Sequence, residues 1–540
     1  MRNQLICFLT LLFCTSFYAN AETEYAKQLV LQTDKKVYVS GEEIGFKCTL
    51  VKQQQQRGNI LFVDVCGEGY IISSRILKQK NSHWDGKISL PDTLQTGIYL
   101  LRAYIGNNRG EPTLVSEPVT VFNRFGNNEI NTIRQSKPGY QPLIQQHHTQ
   151  LPESTQLKTN ASGKTFSTQH EIEFWVENSL THPVGGISFS VFKTDLTTDS
   201  NDLSVPHYDP FSKSDFIKIF PQLILSGRLL HASTRQPAAD ETILLSIPDS
   251  IANVNYTISD STGEFKFMLD HSYGLQDMIV QTMNKQIDFQ LTLNPILLLP
   301  PNQIPFYIPA QTESGEFTQL AIQRTTLHQA YGTSMVSESK KAEVKIPFYG
   351  WCNNRVYPEI FVPLNNFNEI AFEILPTVRY RLDKDSCYVR LWDPVSKGFF
   401  YNPWILVDGV PIFNPAHLNV LHSEMIKWIE IQPQVRCYGN LFIEGVLSIQ
   451  TFHSDYSDVE FPKNAIRRQI DTFYEFNVQA ETEQPLFRDI LYWNPVLNSN
   501  ERVQTVKVKS SFEKGTYVAI AQTVDQSGQV QQSVFQFNVE

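Results

Sequence analysis

The stretch Trp404–Thr451 constrains this chain more than any other. Trp404–Val407 is a short apolar run ending at Asp408-Gly409, a pair suited to a tight turn whose residues need positive φ. Pro411 and Pro415 flank the loop that follows, and Ala416, Leu418, Leu421 and Met425 then recur at helical spacing. Trp428–Ile431 reads as a second strand, Tyr438-Gly439 as a turn and Gly445–Thr451 as a third strand. Strand, helix, strand, turn and strand in that order predict a small α+β unit.

Around it the pattern is different. Residues 29–122 show short alternating runs, among them Ile60–Val65, Tyr70–Leu77, Gly86–Leu90 and Tyr99–Ile105, separated by Gly, Pro and Asp turns. That spacing predicts a β-sandwich. Ile187–Phe192 alternates as a half-buried strand, and 222–293 repeats the strand-and-turn rhythm. At 540 residues length argues against a single core and predicts about three to five domains. The 35 Phe and 22 Tyr favour β-rich architecture. A net charge of −10 with no basic block argues against nucleic acid as a partner.

The first 21 residues read as a secretory signal peptide: Arg2, an apolar core Leu5–Phe17, and a small-x-small site at Ala19-Asn20-Ala21. Phe13 before Cys14 fits poorly where lipidation expects a small residue, so simple cleavage is preferred. No later apolar run approaches the ~20 residues of a membrane helix. The mature chain is therefore expected to be exported, in the periplasm or associated with the outer membrane, without a transmembrane segment.

Two separated motifs in the first domain resemble the macroglobulin-like domain of alpha-2-macroglobulin relatives. They are Thr33-Asp34 with Tyr38 and Gly41-Glu42, and Leu90-Pro91-Asp92 with Gly97–Tyr104. Cys66-Gly67-Glu68-Gly69 is similar to the macroglobulin thioester motif, but glycine occupies the position of the reactive glutamine, so a turn is the preferred reading. Leu223–Leu230, Pro237–Asp240 and Asp260–Phe267 resemble the carboxypeptidase regulatory-like, transthyretin-fold domain. Asp408–Pro411, Ile429–Ile431, Tyr438-Gly439 and Gly445–Thr451 resemble the plug domain of TonB-dependent outer-membrane receptors, with Gln434–Cys437 replacing the usual Gly-Pro-Ser stretch. After Phe452 there are 540 − 452 = 88 residues, whereas a plugged barrel takes roughly 22 strands of 9–11 residues. The expectation is a plug-like module without a barrel in cis. Arg488–Pro495 is similar to a segment of envelope proteins that combine such modules.

The fold class expected is therefore mainly β and multidomain: serial β-sandwich domains with a small α+β plug-like domain. The divisions run as a signal peptide 1–21, a macroglobulin-like sandwich 22–123, a polar linker 124–160 and a second macroglobulin-like β region 161–205. A carboxypeptidase regulatory-like sandwich 215–300, a helical connector 313–345 and the plug-like domain 346–455 follow. A linker 456–485 and a C-terminal β-sandwich region 486–540 complete the chain. In the connector, Leu320, Gln323, Leu327 and Tyr331 share one helical face; Phe367–Ile374 is a second helix, and Tyr388–Asp393 a strand expected to pair with Trp404–Val407.

Chemistry-bearing constellations are weak. Asp408 and Glu430 could act as paired carboxylates, but a turn role and a strand-face role are the simpler readings. Trp404, Trp428 and Trp493 could line a ligand groove or fill cores. His417 and His422 are five apart and fall on different helical faces, and His147-His148 sits in the polar linker. Cys48, Cys66, Cys352, Cys387 and Cys437 have no zinc spacing, and Cys48 and Cys66 alternate onto opposite faces. No catalytic residue, metal or cofactor is assigned.

The expectation is a non-enzymatic envelope protein acting through protein–protein contacts, with envelope proteins and an outer-membrane β-barrel as candidate partners. Its candidate interaction residues are Asp408, Gly409, Pro411, Phe413 and Tyr438. The alternative is a component that binds peptide or glycan and feeds a separate TonB-dependent transporter.

Overall fold

The computed structural model describes residues 28–51, 60–67, 69–80, 82–106, 112–125, 154–180, 183–194, 222–269, 274–285, 287–296, 298, 319–320, 322–326, 346–352, 355–382, 387–474, 490–497 and 501–540. The fold is mainly β and multidomain, with a small α+β part. The signal segment, His147 and His148 lie outside the described residues. The chain divides into two compact units: Met1–Pro221 with Leu298–Glu338 and Phe476–Glu540, and Gln222–Leu297 with Ser339–Glu475.

The first sandwich contains β1 (Gln28–Thr33), β2 (Val37–Val39), β3 (Glu43–Val51), β4 (Ile60–Gly67), β5 (Tyr70–Lys78), β6 (His83–Ser89), β7 (Gly97–Ile105) and β8 (Thr113–Phe122). Strands β1, β3 and β6 form one sheet; β2, β8, β7, β4 and β5 form the other. Phe46, Val63, Trp84 and Leu101 fill the space between them. The Asp34–Glu42 motif is a hydrogen-bonded corner. Tyr38 Oη lies 2.5 Å from Asp34 Oδ1 and 2.7 Å from the Lys35 carbonyl, which share its single proton, and Lys35 Nζ meets Glu42 Oε2 at 2.8 Å. Burial raises the Asp34 carboxyl to about 6, against the lowering effects of Tyr38 and Lys35. Cys48 lies in the sandwich core and Cys66 beside Leu100 outside it, as their opposite alternation predicts.

The chain continues through β9 (Leu157–Ala161), β10 (Thr165–Phe166), β11 (Glu171–Asn178) and β12 (Val184–Lys193). Residues 157–160, assigned to the linker, are thus part of a strand, because they complete the edge of β11.

The second unit opens with β13 (Ile224–His231), β14 (Thr242–Ile247), β15 (Asn253–Ile258), β16 (Glu264–Met268), β17 (Leu275–Thr282) and β18 (Phe289–Leu293). A three-stranded sheet, β16-β13-β18, faces β15-β14-β17, and a seventh strand from far downstream completes the latter. Next come β19 (Arg355–Val356), the helix Phe367–Ile374, β20 (Val378–Leu382), β21 (Cys387–Asp393) and β22 (Gly398–Phe400). Then follow β23 (Trp404–Val407), β24 (Val410–Ile412), β25 (Ile426–Tyr438), β26 (Leu441–Thr451) and β27 (Ala465–Asp471). Strand β27, in the segment assigned as a linker, pairs antiparallel with β17 and extends that sheet.

Strands β19, β25, β26, β23 and β24 make a mixed sheet in which β23 runs parallel to β26. The helix Phe367–Ile374 forms as expected: Asn366 caps it by accepting from the Glu369 N–H, and Phe367, Ile370 and Ala371 face the core. Two expectations fail nearby. Residues 416–425 form two short 3-10 turns, Pro415–Val420 and Ser423–Met425, because His422 is extended (φ −108°, ψ 163°) and breaks the helical run. Leu418 and Leu421 are buried all the same. Strand β21 pairs with β20 and β22, not with Trp404–Val407, which instead uses β24 and β26.

The chain then returns to the first unit with β28 (Ile490–Leu497), β29 (Val503–Lys509), β30 (Gly515–Val524) and β31 (Val530–Val539). These complete one sandwich with β9–β12: sheets β10-β31-β30-β12-β28 and β29-β11-β9. The regions 161–205 and 486–540, read as separate domains, therefore share a single core of Phe174, Phe189, Tyr517 and Phe537. Within either half only one pair of strands is adjacent, β11 with β9 and β30 with β31, and a two-stranded pair cannot hold an apolar face on its own. Residues 319–320 and 322–326 are helical; Gln323 is exposed while Arg324 and Thr325 are buried, so the expected apolar face is not the one used. Leu327 and Tyr331 lie outside the described residues.

Candidate interaction site

Asp408 and Gly409 form the turn between β23 and β24, with φ +49° and +78°. A two-residue turn of this hand matches the twist of the flanking strands. The side chain of Asp408 is fully buried and accepts four hydrogen bonds: from Gln450 Nε2 (2.9 Å), Thr451 N (2.7 Å), Thr451 Oγ1 (2.8 Å) and Tyr456 N (3.0 Å). Burial pushes its carboxyl above the ordinary range, and the Thr451 and Tyr456 donors oppose that. All four partners donate, so the pocket is built for the carboxylate form.

The other four residues named from sequence divide. Gly409 packs against Ala252, and Pro411, buried in β24, offers its carbonyl to Gln281 Nε2 at 2.9 Å. Phe413 and Tyr438 are half-buried beside Phe348, Trp404, Tyr256 and Leu244 in one apolar cluster. Lys285 Nζ lies 4.7 Å over the Phe413 ring, and burial lowers that amine to about 8. Tyr438 Oη meets Asn255 Oδ1 at 3.3 Å and its ring stands edge-on to Tyr256, whose hydroxyl accepts the Asn440 N–H at 2.8 Å. Four of the five thus join the β13–β18 sandwich to the mixed sheet, and Asp408 pins the sheet's own hairpin. Their side chains are occupied inside the unit, and Asp408, Gly409 and Pro411 have little surface to offer a partner.

Glu430 is buried and held by Arg355 Nη2 (2.6 Å) and Tyr349 Oη (2.5 Å). Arg355 in turn stacks 4.7 Å from the Trp428 ring. Asp408 and Glu430 therefore each spend their oxygens on separate structural partners, as turn and strand roles require. Trp404 belongs to the apolar cluster, and Trp493 lies against Gly45, where any Cβ would meet both its Nε1 and Asp34. His417 and His422 pair with different carboxylates, Glu460 and Glu424. Among the described residues no group of three or more His, Cys, Asp or Glu could hold a metal, and no helix is long and apolar enough to cross a membrane.

Two exposed features carry no sequence motif. Ile360, Val362 and Phe372 are 73, 74 and 83% exposed, on and just after the 3-10 turn Pro358–Ile360 and on the outer face of the helix Phe367–Ile374. The second is the outer face of β20–β22, where Arg379, Tyr388, Arg390, Trp392 and Phe399 alternate with inward Val378, Tyr380, Val389 and Leu391. Alternation made that face legible in principle; pairing β21 with the wrong strand hid it.

No protein-family model matches the chain, and no curated protein matches it. Among solved structures, E. coli alpha-2-macroglobulin in its native conformation is similar at 12% identity, over 96% of this chain and 22% of that one, with a TM-score of 0.16. A Salmonella alpha-2-macroglobulin variant matches at 9% identity, over 95% and 39%, with a TM-score of 0.24. The Yersinia pseudotuberculosis adhesin InvE matches at 9% identity, over 51% and 62%, with a TM-score of 0.15. The chain spans well under half the length of these macroglobulins, and TM-scores this low define no common overall arrangement.

Proposed function

We propose that this chain is a non-enzymatic, exported cell-envelope protein that works by binding other proteins. The observation carrying the reading is the set of large apolar side chains, Ile360, Val362 and Phe372, left in solvent on the α+β part. Three large apolar side chains this exposed, on the 3-10 turn, just after it and on the helix Phe367–Ile374, favour a protein contact over solvent. The saturated carboxylates of Asp408 and Glu430 support a non-catalytic role. The secretory character of residues 1–21 supports export, and the plug-like order of signals in 404–451 makes an outer-membrane β-barrel the partner to test first.

Pull-down of the tagged mature protein from cell envelopes in mild detergent tests this. The reading requires stoichiometric recovery of an envelope protein, lost in an Ile360→Ser, Val362→Ser, Phe372→Ser variant that still melts like the parent. Recovery of the chain alone, from the soluble fraction, would reject it.

A further inference from the structure

The outer face of the β20–β22 sheet has an arrangement that folding alone does not account for. Arg379 and Arg390 are register partners on adjacent antiparallel strands. Like charges directly opposite each other destabilise a sheet, and such partners have Cα atoms only about 4.5–5.5 Å apart. Neither guanidinium has a carboxylate partner among the described residues. Each instead lies on aromatic rings: Arg379 5.1 Å from the Phe399 centroid, Arg390 4.4 Å from Tyr388 and 4.6 Å from Tyr401. Stacking fixes the plane of a guanidinium and leaves its N–H fork free for a carboxylate. The chain as a whole carries −10, so an unneutralised pair of arginines is a local exception.

We propose that this face docks an acidic polypeptide segment, whose Asp or Glu carboxylates sit between the two arginine forks. The proposal rests on the protein-binding reading above and specifies the charge of a partner at a second surface. The ring geometry favours a peptide over a sugar or a nucleic acid. Tyr388, Tyr401 and Phe399 already carry guanidiniums on their faces, and Trp392 meets Phe399 edge-on (73° between planes), so open ring faces for stacking are few. Membrane-surface binding relies on clusters of roughly four to eight basic residues, more than Arg379, Arg381 and Arg390 supply on this face.

Fluorescence anisotropy with a labelled short polyglutamate peptide tests the proposal on the full mature chain. Binding should weaken as salt rises and fall at least about tenfold in Arg379→Gln with Arg390→Gln, a size set by loss of charge-assisted bonds. Arg390→Lys should lose most of that affinity while keeping the charge, because lysine has no planar fork. Circular dichroism melts of both variants, matching the parent, separate loss of binding from loss of fold. The Ile360→Ser, Val362→Ser, Phe372→Ser variant should bind polyglutamate normally, which keeps this surface distinct from the apolar one. Polyglutamate binding that is absent, or unchanged in the arginine variants, overturns the proposal. So does binding of oligogalacturonate or phosphatidylglycerol vesicles in place of the peptide.

Discussion

Thr451 gives Asp408 two hydrogen bonds at once, its N–H to Oδ1 at 2.7 Å and its hydroxyl to Oδ2 at 2.8 Å. The end of β26 is thereby tied to the turn that follows its parallel neighbour β23. Because Asp408 is also at φ +49° and fully buried, one side chain sets both turn geometry and strand register. Replacing it with alanine orphans four donors, and each buried unsatisfied group costs on the order of 1–3 kcal/mol. Asp408→Ala should therefore lower stability by about 3 kcal/mol or more. Asp408→Asn, which tolerates the left-handed backbone but lacks one acceptor oxygen, should fall between. Urea denaturation followed by tryptophan fluorescence reads both.

Gly439 sits at φ +58° with the Tyr256 hydroxyl where a Cβ would stand. Gly439→Ala should cost about 2 kcal/mol through backbone strain and this overlap. A double-mutant cycle with Tyr256→Phe should return a favourable coupling, since removing the hydroxyl relieves the closest contact. Additive effects would mean that the turn, not the junction, determines the cost.

Lys47 is buried between the two sandwiches of the first unit, donating to the Gly186 carbonyl at 2.8 Å, and burial lowers its amine from 10.5 to about 7. A lysine depressed in the fold contributes stability fully above its unfolded value and loses it as pH falls through 7. Between pH 7 and 8.5 the unfolding free energy should therefore rise, by about 1–2 kcal/mol from this residue. Lys47→Met should flatten that slope. The raised carboxyls of Asp34 and Asp64, both near 6, act below this window with the opposite sign, their contribution being lost as pH rises through 6. Denaturant titrations at the two pH values settle the point.

Glu513 receives Lys193 Nζ at 3.1 Å and Arg324 Nε at 2.7 Å. Burial pushes its carboxyl up, but these two cations outweigh that and hold it below the ordinary range. Glu513→Gln leaves two buried cations short of a countercharge, an imbalance that costs on the order of 3–5 kcal/mol for a buried pair. The helical residues 322–326 should then become the first site of proteolysis, identified by mass spectrometry of limited digests.

What the sequence made legible was local. Asp408-Gly409 as a positive-φ turn, Phe367–Ile374 as a helix, and the opposite faces of Cys48 and Cys66 all follow from spacing within a few residues. What it hid was long-range. Strand β12 pairs with β28 and β30, more than 290 residues downstream (489 − 193 = 296 residues lie between β12 and β28). Alternation in Ile187–Phe192 says only that some neighbour exists. The same limit split one sandwich into two domains and turned β27 into linker. The candidate residues suffered from it too: Phe413 and Tyr438 look like loop aromatics until Tyr256 and Asn255, from a separate module, arrive against them.

Phe192 and Ile490 are register partners although an entire unit is encoded between them. A ribosome must therefore release almost the whole polypeptide before the second sandwich can close. Strands β9–β12 emerge early and wait with an unpaired apolar face until β28–β31 exist. Such delayed, high-separation pairing folds slowly and exposes sticky edges meanwhile. Newly made chains of this architecture would thus depend on holding factors during synthesis, and any stop codon before Ile490 would leave β12 without its partners.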